Sequence, residues 1–262
     1  MIRVEHLSRQ FVRDSASRWK RSKAEVVQAV KDVSFTAGDG QITGLLGANG
    51  AGKTTTLRMI AALLKQDGGQ ILVDGVVVEA GQQTTQAQMG VLSDARGLYP
   101  RLSARENIVY YGLLHGMTLD QANQRVDVLS DVLELNPFIE RRCDGFSQGE
   151  KMKTALARAL VHDPKNIILD EPTNGLDVLA TRALRDFLRW LRSPAGGSKC
   201  IIFSTHIMQE VERLCDQVVV VAHGKTVAQG SVQQLLDQVH ETDFEDAFVK
   251  IAFAPEQERG AA

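Results

Sequence analysis

The sequence predicts an α/β fold: a largely parallel sheet with covered faces, interrupted by a block of helices. Three observations predict it. Short apolar runs at Gln41–Leu46, Met89–Leu92, Ile167–Leu169, Cys200–Ser204 and Val218–Ala222 read as buried strands. Helical periodicity separates them at Thr54–Leu64, Thr181–Leu191 and Met208–Leu214. The stretch between Met89 and Ile167 is mostly helical in pattern and reads as a subdomain inserted into the sheet.

The elements follow in order. Ile2–Leu7 alternates apolar and polar residues as a strand does, and Val26–Phe35 holds a second strand-like stretch. Between them Arg13–Lys23 carries five basic residues and one acid, which suits a solvated loop or a local patch for acidic lipid head groups or a partner. Gln70–Val73 and Val76–Glu79 flank Asp74-Gly75, a pair that favours a primed hairpin turn. A polar link rich in Gln and Thr leads to Met89. Ser103, three residues before Glu106, forms a capping-box pattern at the start of Arg105–Leu114. Ala122, Val126, Leu129 and Leu133 give Asp120–Leu135 an apolar stripe. Two short helical patterns, Val232–Gln238 and Phe244–Ile251, precede a polar tail from Ala254.

Composition bounds the class. A chain of 262 residues with 44% hydrophobic content can bury the core of one domain and a subdomain. Its 30 Lys+Arg against 32 Asp+Glu leave a charge of −2, no general reason to bind nucleic acid or an anionic membrane. Apolar runs such as Val218–Ala222 fall far short of the roughly 18 residues of a membrane span. The N-terminus has polar residues where a secretory apolar region would sit. Cys143, Cys200 and Cys215 are odd in number and lack metal-ligand spacing, which fits a reducing compartment. A cytoplasmic protein is expected.

The chemistry starts at Gly47-Ala-Asn-Gly-Ala-Gly-Lys53-Thr54, which fits the phosphate-binding pattern G-x4-GK[ST] after a strand and before a helix. Glycine lets backbone approach a ligand closely, and the exposed N–H groups with the helix N-terminus surround phosphates with positive potential. Lys53 would reach the β- and γ-phosphates and Thr54 would ligate Mg²⁺. Ile167–Leu169 leads to Asp170 and Glu171, placing two carboxylates at the end of a buried strand, where ligands bind in α/β sheets. Asp170 is expected to hold Mg²⁺ and Glu171 to polarise the attacking water. Phe146-Ser-Gln-Gly-Glu150 then precedes the helical run Lys151–Val161, with Ala157-Arg-Ala-Leu160 and Asp163-Pro164 following.

With these three motifs in this order the chain resembles the ATP-binding cassette family, whose signature reads LSGGQ. Ser147 and Gly149 match it; Phe146, Gln148 and Glu150 depart from it. The resemblance implies a P-loop NTPase (RecA-like) core with an N-terminal antiparallel β subdomain and an inserted α-helical subdomain, about 94–162. It covers 1–230 as the ATPase domain, leaving 231–262 as a short helical extension and tail. It assigns ATP contacts to Gly47, Asn49, Gly50, Ala51, Gly52, Lys53, Thr54 and Thr55, with Ser147 and Gly149 reaching the γ-phosphate held by a second subunit. Thr173–Asp177 resembles the D-loop at the dimer interface, and His206 the switch histidine. Phe11 resembles the aromatic that stacks on adenine, with Trp19 as the competing candidate. Where the family has a glutamine that ligates Mg²⁺, Ser93-Asp94 stands here; Asp94 is either a shorter, charged substitute ligand or a turn residue.

Gly97–Asn107, Tyr110-Tyr-Gly and Leu114-His-Gly-Met117, together with Asp94, are most similar to the sodium-exporting NatA type within that family. Related drug, lipid and polysaccharide exporters share part of the pattern. The resemblance implies a homodimer of the ATPase working with a separate integral membrane permease, peripheral on the cytoplasmic face of the membrane, with ATP and Mg²⁺ as cofactors and no nucleic acid. Soluble cassette ATPases of DNA repair or translation are the remote alternative. They usually carry coiled coils, zinc modules or two cassettes, and none of these is read here.

Overall fold

The computed structural model describes residues 1–13, 25–93 and 97–253. Asp94, Trp19, nearly all of the basic Arg13–Lys23 segment and the tail from Ala254 lie outside the described residues. The chain divides into two compact units, one drawn from Met1–Gly38, Thr43–Gln82 and Ser204–Ala262, the other from Asp39–Ile42 and Gln83–Phe203.

In the first unit β1 (Ile2–Arg13) pairs antiparallel with β2 (Glu25–Ala37), bringing Phe11 opposite Val27. β1 also pairs antiparallel with β4 (Gly68–Val73), which returns through a hairpin to β5 (Val76–Val77). Asp74 and Gly75 have φ of 49° and 82°, the two left-handed residues of a primed turn. β3 (Gln41–Leu46) runs parallel to β9 (Gln217–Ala222), with Leu45 opposite Val219. β10 (Lys225–Gly230) folds back antiparallel on β9 and touches β2 in parallel register at Asp32. The strand order in this unit is β5-β4-β1-β2-β10-β9-β3.

That order refines the expectation of a parallel sheet. It is mixed, because β10 is a hairpin return. Lys-Thr-Val-Ala-Gln-Gly lacks an apolar alternation, so the strand is invisible to pattern. α1 (Lys53–Ile60) is also shorter than Thr54–Leu64 suggests, since Ala62 turns left-handed at φ 57°. α7 (Met208–Leu214), α8 (Val232–Val239) and α9 (Phe244–Phe253) complete the unit. Phe244, Phe248 and Ile251 of α9 close a core with Leu46, Val218 and Val220, so the C-terminal helix covers the strands that lead to the phosphate loop.

In the second unit β6 (Met89–Leu92) pairs parallel with β7 (Asn166–Asp170), and β8 (Cys200–Thr205) lies beyond β7. The Gln/Thr link before β6 holds a single helical turn, α2 (Gln83–Gln86). α3 (Ala104–Leu114), α4 (Leu119–Val132) and α5 (Gln148–Leu160) each start from a reciprocal capping box, at Ser103/Glu106, Thr118/Gln121 and Ser147/Glu150. α6 (Val178–Arg192) follows β7. Among the described residues no helix is long and apolar enough to cross a membrane.

Candidate nucleotide site

The first unit holds the phosphate loop. β3 is buried through Leu46, and the chain turns at once through 47–52 into α1. A Cβ on Gly47 would lie 2.4 Å from the Val221 carbonyl, and one on Gly52 would lie 2.6 Å from the Ala29 carbonyl. Gly52 also sits at φ 106°. The loop is therefore wedged between the end of β9 and β2, and only glycine fits at both points. α1 opens without a side-chain cap and with no acid in its first turn. The positive end of its dipole therefore favours an anion there. Lys53 is buried, and its Nζ donates to the Gly47 carbonyl at 2.7 Å and the Ala48 carbonyl at 3.1 Å. Its charge is held inside the curve of the loop. Asn49 and Gly50 are exposed at the rim, Ala51 is buried, and Thr54 and Thr55 are half-buried.

His206 follows β8 and is exposed. The residues beside it fix its backbone. Buried Thr205 donates its hydroxyl to Glu210 Oε2 at 2.8 Å and accepts from the Ile207 N–H at 3.0 Å. Sequence reasoning did not pick out Thr205 or Glu210; a Thr at a strand end five residues before an acid was the available signal. Phe11 lies on β1, 37% exposed, with the Arg9 guanidinium 5.1 Å from its ring centroid. An aromatic face presented this way can stack on a base.

The second unit holds the carboxylates and the signature segment. Every residue of β7 is buried, and the strand delivers Asp170 at its last position. Glu171 has φ 46°, unusual for a residue with a side chain and characteristic of functional positions that the surrounding fold holds in place. The Asn174 N–H donates to the Glu171 carbonyl at 3.1 Å and closes the turn after the strand. Ser147 caps α5: its Oγ accepts from the Glu150 N–H at 3.2 Å, and Glu150 Oε2 accepts from the Ser147 N–H at 2.8 Å. That backbone N–H, helped by the Ser147 hydroxyl and by Arg141 at 2.9 Å, holds the Glu150 carboxyl below the usual range. Glu150 thus closes the capping box and pairs with Arg141. Gly149 differs from the loop glycines, because a Cβ there would meet only Leu176, at 4.0 Å. Nothing among its described neighbours requires glycine at this position.

Asp177 is the N-cap of α6, its Oδ1 accepting from the Ala180 N–H at 2.8 Å. The next two residues, Val178 and Leu179, are 82% and 78% exposed. Among the described residues no cluster of three or more His, Cys, Asp and Glu could hold a metal unaided. The candidate donors Thr54 and Asp170 are hard oxygens, the type Mg²⁺ takes when phosphate oxygens and water complete its shell.

A model of the ABC transporter family matches residues 30–174, which include the phosphate loop, the signature segment and the Asp170-Glu171 pair. The "ABC transporter ATP-binding protein NatA" of Bacillus subtilis (strain 168) is 41% identical over 250 residues, covering 95% of this chain and 97% of that protein. The "Nod factor export ATP-binding protein I" of Rhizobium sp. (strain N33) is 36% identical over 209 residues, 80% of this chain and 68% of that protein. A solved "ATP binding subunit of ABC transporter" superposes with a TM-score of 0.81 at 26% identity, over 95% of this chain and 98% of that one.

Proposed function

The chain belongs to the ABC transporter family and hydrolyses ATP for transport, and we propose that it is the ATPase subunit of a sodium exporter. The observation that carries the substrate assignment is the likeness to NatA along nearly the whole chain, together with the NatA-type segments between Gly97 and Met117.

In this reading the loop residues Gly47, Asn49, Gly50, Ala51 and Gly52 present backbone N–H groups to the phosphates. Lys53 neutralises the β- and γ-phosphate charge, Thr54 and Thr55 supply hydroxyls, and Phe11 stacks on the adenine. Glu171 aligns water for in-line attack on the γ-phosphate, and His206 stabilises the charge that develops there. Thr54, Asp170 and Asp94 are the candidate ligands of Mg²⁺, which when bound would supply charge neutralisation at the phosphate oxygens. Ser147 and Gly149 complete the site of a second copy of the chain. The exposed Val178-Leu179 pair beside Asp177 and the unconstrained Gly149 support such a homodimer, since both would be covered there. A separate permease in the membrane provides the path, and the ATPase sits peripherally on its cytoplasmic side.

A second reading is export of a drug, lipid or polysaccharide; the 36% identity to a protein named for Nod factor export supports a cargo other than sodium. The two separate in one experiment. Radioactive sodium efflux is followed from cells lacking the gene and supplied with the wild-type chain or with Glu171→Gln. Sodium export predicts recovery with the wild type alone. Efflux unaffected by loss of the gene, with ATP hydrolysis intact in the purified protein, would overturn it.

A further inference from the structure

The turn between β9 and β10 is two residues long, since Ala222 and Lys225 pair directly across it. Both turn residues are left-handed, His223 at φ 51° and Gly224 at φ 76°, as a primed turn demands. A hairpin tip is ordinarily the freest part of a sheet. This one is bound on two sides. The Gly224 N–H donates to the Ala51 carbonyl, inside the phosphate loop, at 3.1 Å. The Gly224 carbonyl accepts from the N–H groups of Lys31 at 2.7 Å and Asp32 at 3.1 Å, both on β2. A single peptide neighbourhood therefore ties the loop to the antiparallel strands.

The contact is tight for a side chain, which the left-handed backbone would strain as well. A Cβ on Gly224 would lie 3.0 Å from the Ala29 carbonyl and 3.1 Å from the Lys31 nitrogen. The same Ala29 carbonyl stands 2.6 Å from where a Cβ of Gly52 would be, and the Val221 carbonyl, just before the turn, stands 2.4 Å from that of Gly47. Both ends of the loop and its middle thus rest on two backbone segments, 29–32 and 221–224, and Gly224 joins those segments to each other.

We propose that Gly224 is a positioning residue for ATP binding: it fixes the Ala51 peptide, and with it the inward aim of the phosphate loop's N–H groups, before nucleotide arrives. The inference rests on the reading of 47–54 as the ATP loop. Preorganised donors bind an anion without the cost of ordering the loop, so loosening the tie should weaken affinity and spare the chemical step.

The test compares steady-state ATP hydrolysis by Gly224→Ala, His223→Asn and Lys53→Ala. Gly224→Ala should raise KM for ATP roughly tenfold, what the loss of one well-made hydrogen bond gives, with kcat within about twofold of wild type. His223→Asn should leave both constants unchanged, because Asn tolerates the left-handed conformation. A folded Gly224→Ala with wild-type KM would overturn the proposal while Lys53→Ala still loses nucleotide; unchanged nucleotide affinity in Lys53→Ala would instead overturn the loop reading beneath it. If Gly224→Ala does not fold, amide exchange in the wild type decides. Saturating ATP should slow exchange of the Gly224 amide about tenfold or more, and an amide indifferent to ATP would refute the tie.

Discussion

Thr205 and Glu210 share a buried hydrogen bond, hydroxyl to carboxylate at 2.8 Å, that spans His206 and joins the end of β8 to the first turn of α7. The same hydroxyl accepts from the N–H of Ile207. The backbone of the residue between them is therefore held by its neighbours on both sides. Thr205→Val removes the donor and leaves a buried carboxylate short of a partner, a loss of about 1–3 kcal/mol in stability. Turnover should fall roughly tenfold at saturating ATP while nucleotide affinity stays near wild type. Thr205→Ser, which keeps the hydroxyl, should restore turnover. Urea unfolding and steady-state hydrolysis together check both halves.

The two kinds of glycine make a second prediction. Gly47→Ala drives a methyl group to 2.4 Å from the Val221 carbonyl, so the loop must open and ATP affinity should fall by roughly a hundredfold or more. Gly149→Ala meets only Leu176, at 4.0 Å, and should unfold at the wild-type temperature. In the proposed homodimer its turnover should nevertheless drop, because there the close approach would come from a second copy. Thermal melts and ATP titrations of both variants separate the cases; wild-type turnover in Gly149→Ala would remove the signature segment from the site.

Lys53→Ala should abolish measurable ATP binding at concentrations that saturate the wild type. The ammonium is buried within the curve of the loop, where its charge would act at low dielectric on the phosphates of the proposed site and where alanine leaves nothing in its place. Equilibrium binding of a fluorescent nucleotide reads this directly.

The second unit carries a pH dependence of its own. His162 stacks on His115 with ring centroids 3.6 Å apart and planes 4° from parallel, and it contacts the Met89 carbonyl. Burial, with the second imidazole beside it, pushes His162 down to about 4, while Asp163 and Lys199 act in opposite directions. Burial lowers His115 as well. Unfolded chains take up a proton near pH 6.5, so between about 6.5 and about 4 the unfolded state binds the extra proton. Stability should thus fall by about 2 kcal/mol as pH drops through that window, once its partial exposure is allowed for. His162→Gln should flatten that slope in urea titrations at pH 7.5 and pH 5.

Much of this was legible in the sequence, for a local reason. β3, β6 and α7 have the bounds their apolar runs predict, and the Asp74-Gly75 turn and the Ser103 cap are written in adjacent residues. Ser147 caps α5 by the same local pattern, and the structure adds what the carboxylate of Glu150 contributes beyond the box, its pairing with Arg141. What stayed hidden is nonlocal or polar. β10 has no apolar rhythm, because the two residues it packs against the core, Val227 and Ala228, are adjacent at a register shift rather than alternating. Asp177 reads as an interface residue and also proves to be a helix cap, a use that any Asp before a helix can have. The Val221, Ala29 and Gly224 supports of the phosphate loop come from segments far apart in the chain, and no spacing rule connects them.

Glu171, strained at φ 46° just beyond the buried end of β7, bears the central claim. The most direct test is the mass of purified Glu171→Gln by light scattering with ATP and Mg²⁺, alongside its rate of phosphate release. Expected are a dimer that forms only with nucleotide and hydrolysis slowed about a hundredfold or more, because the water is no longer aligned while every binding contact remains. A variant that stays monomeric with ATP bound and releases phosphate at the wild-type rate would contradict it.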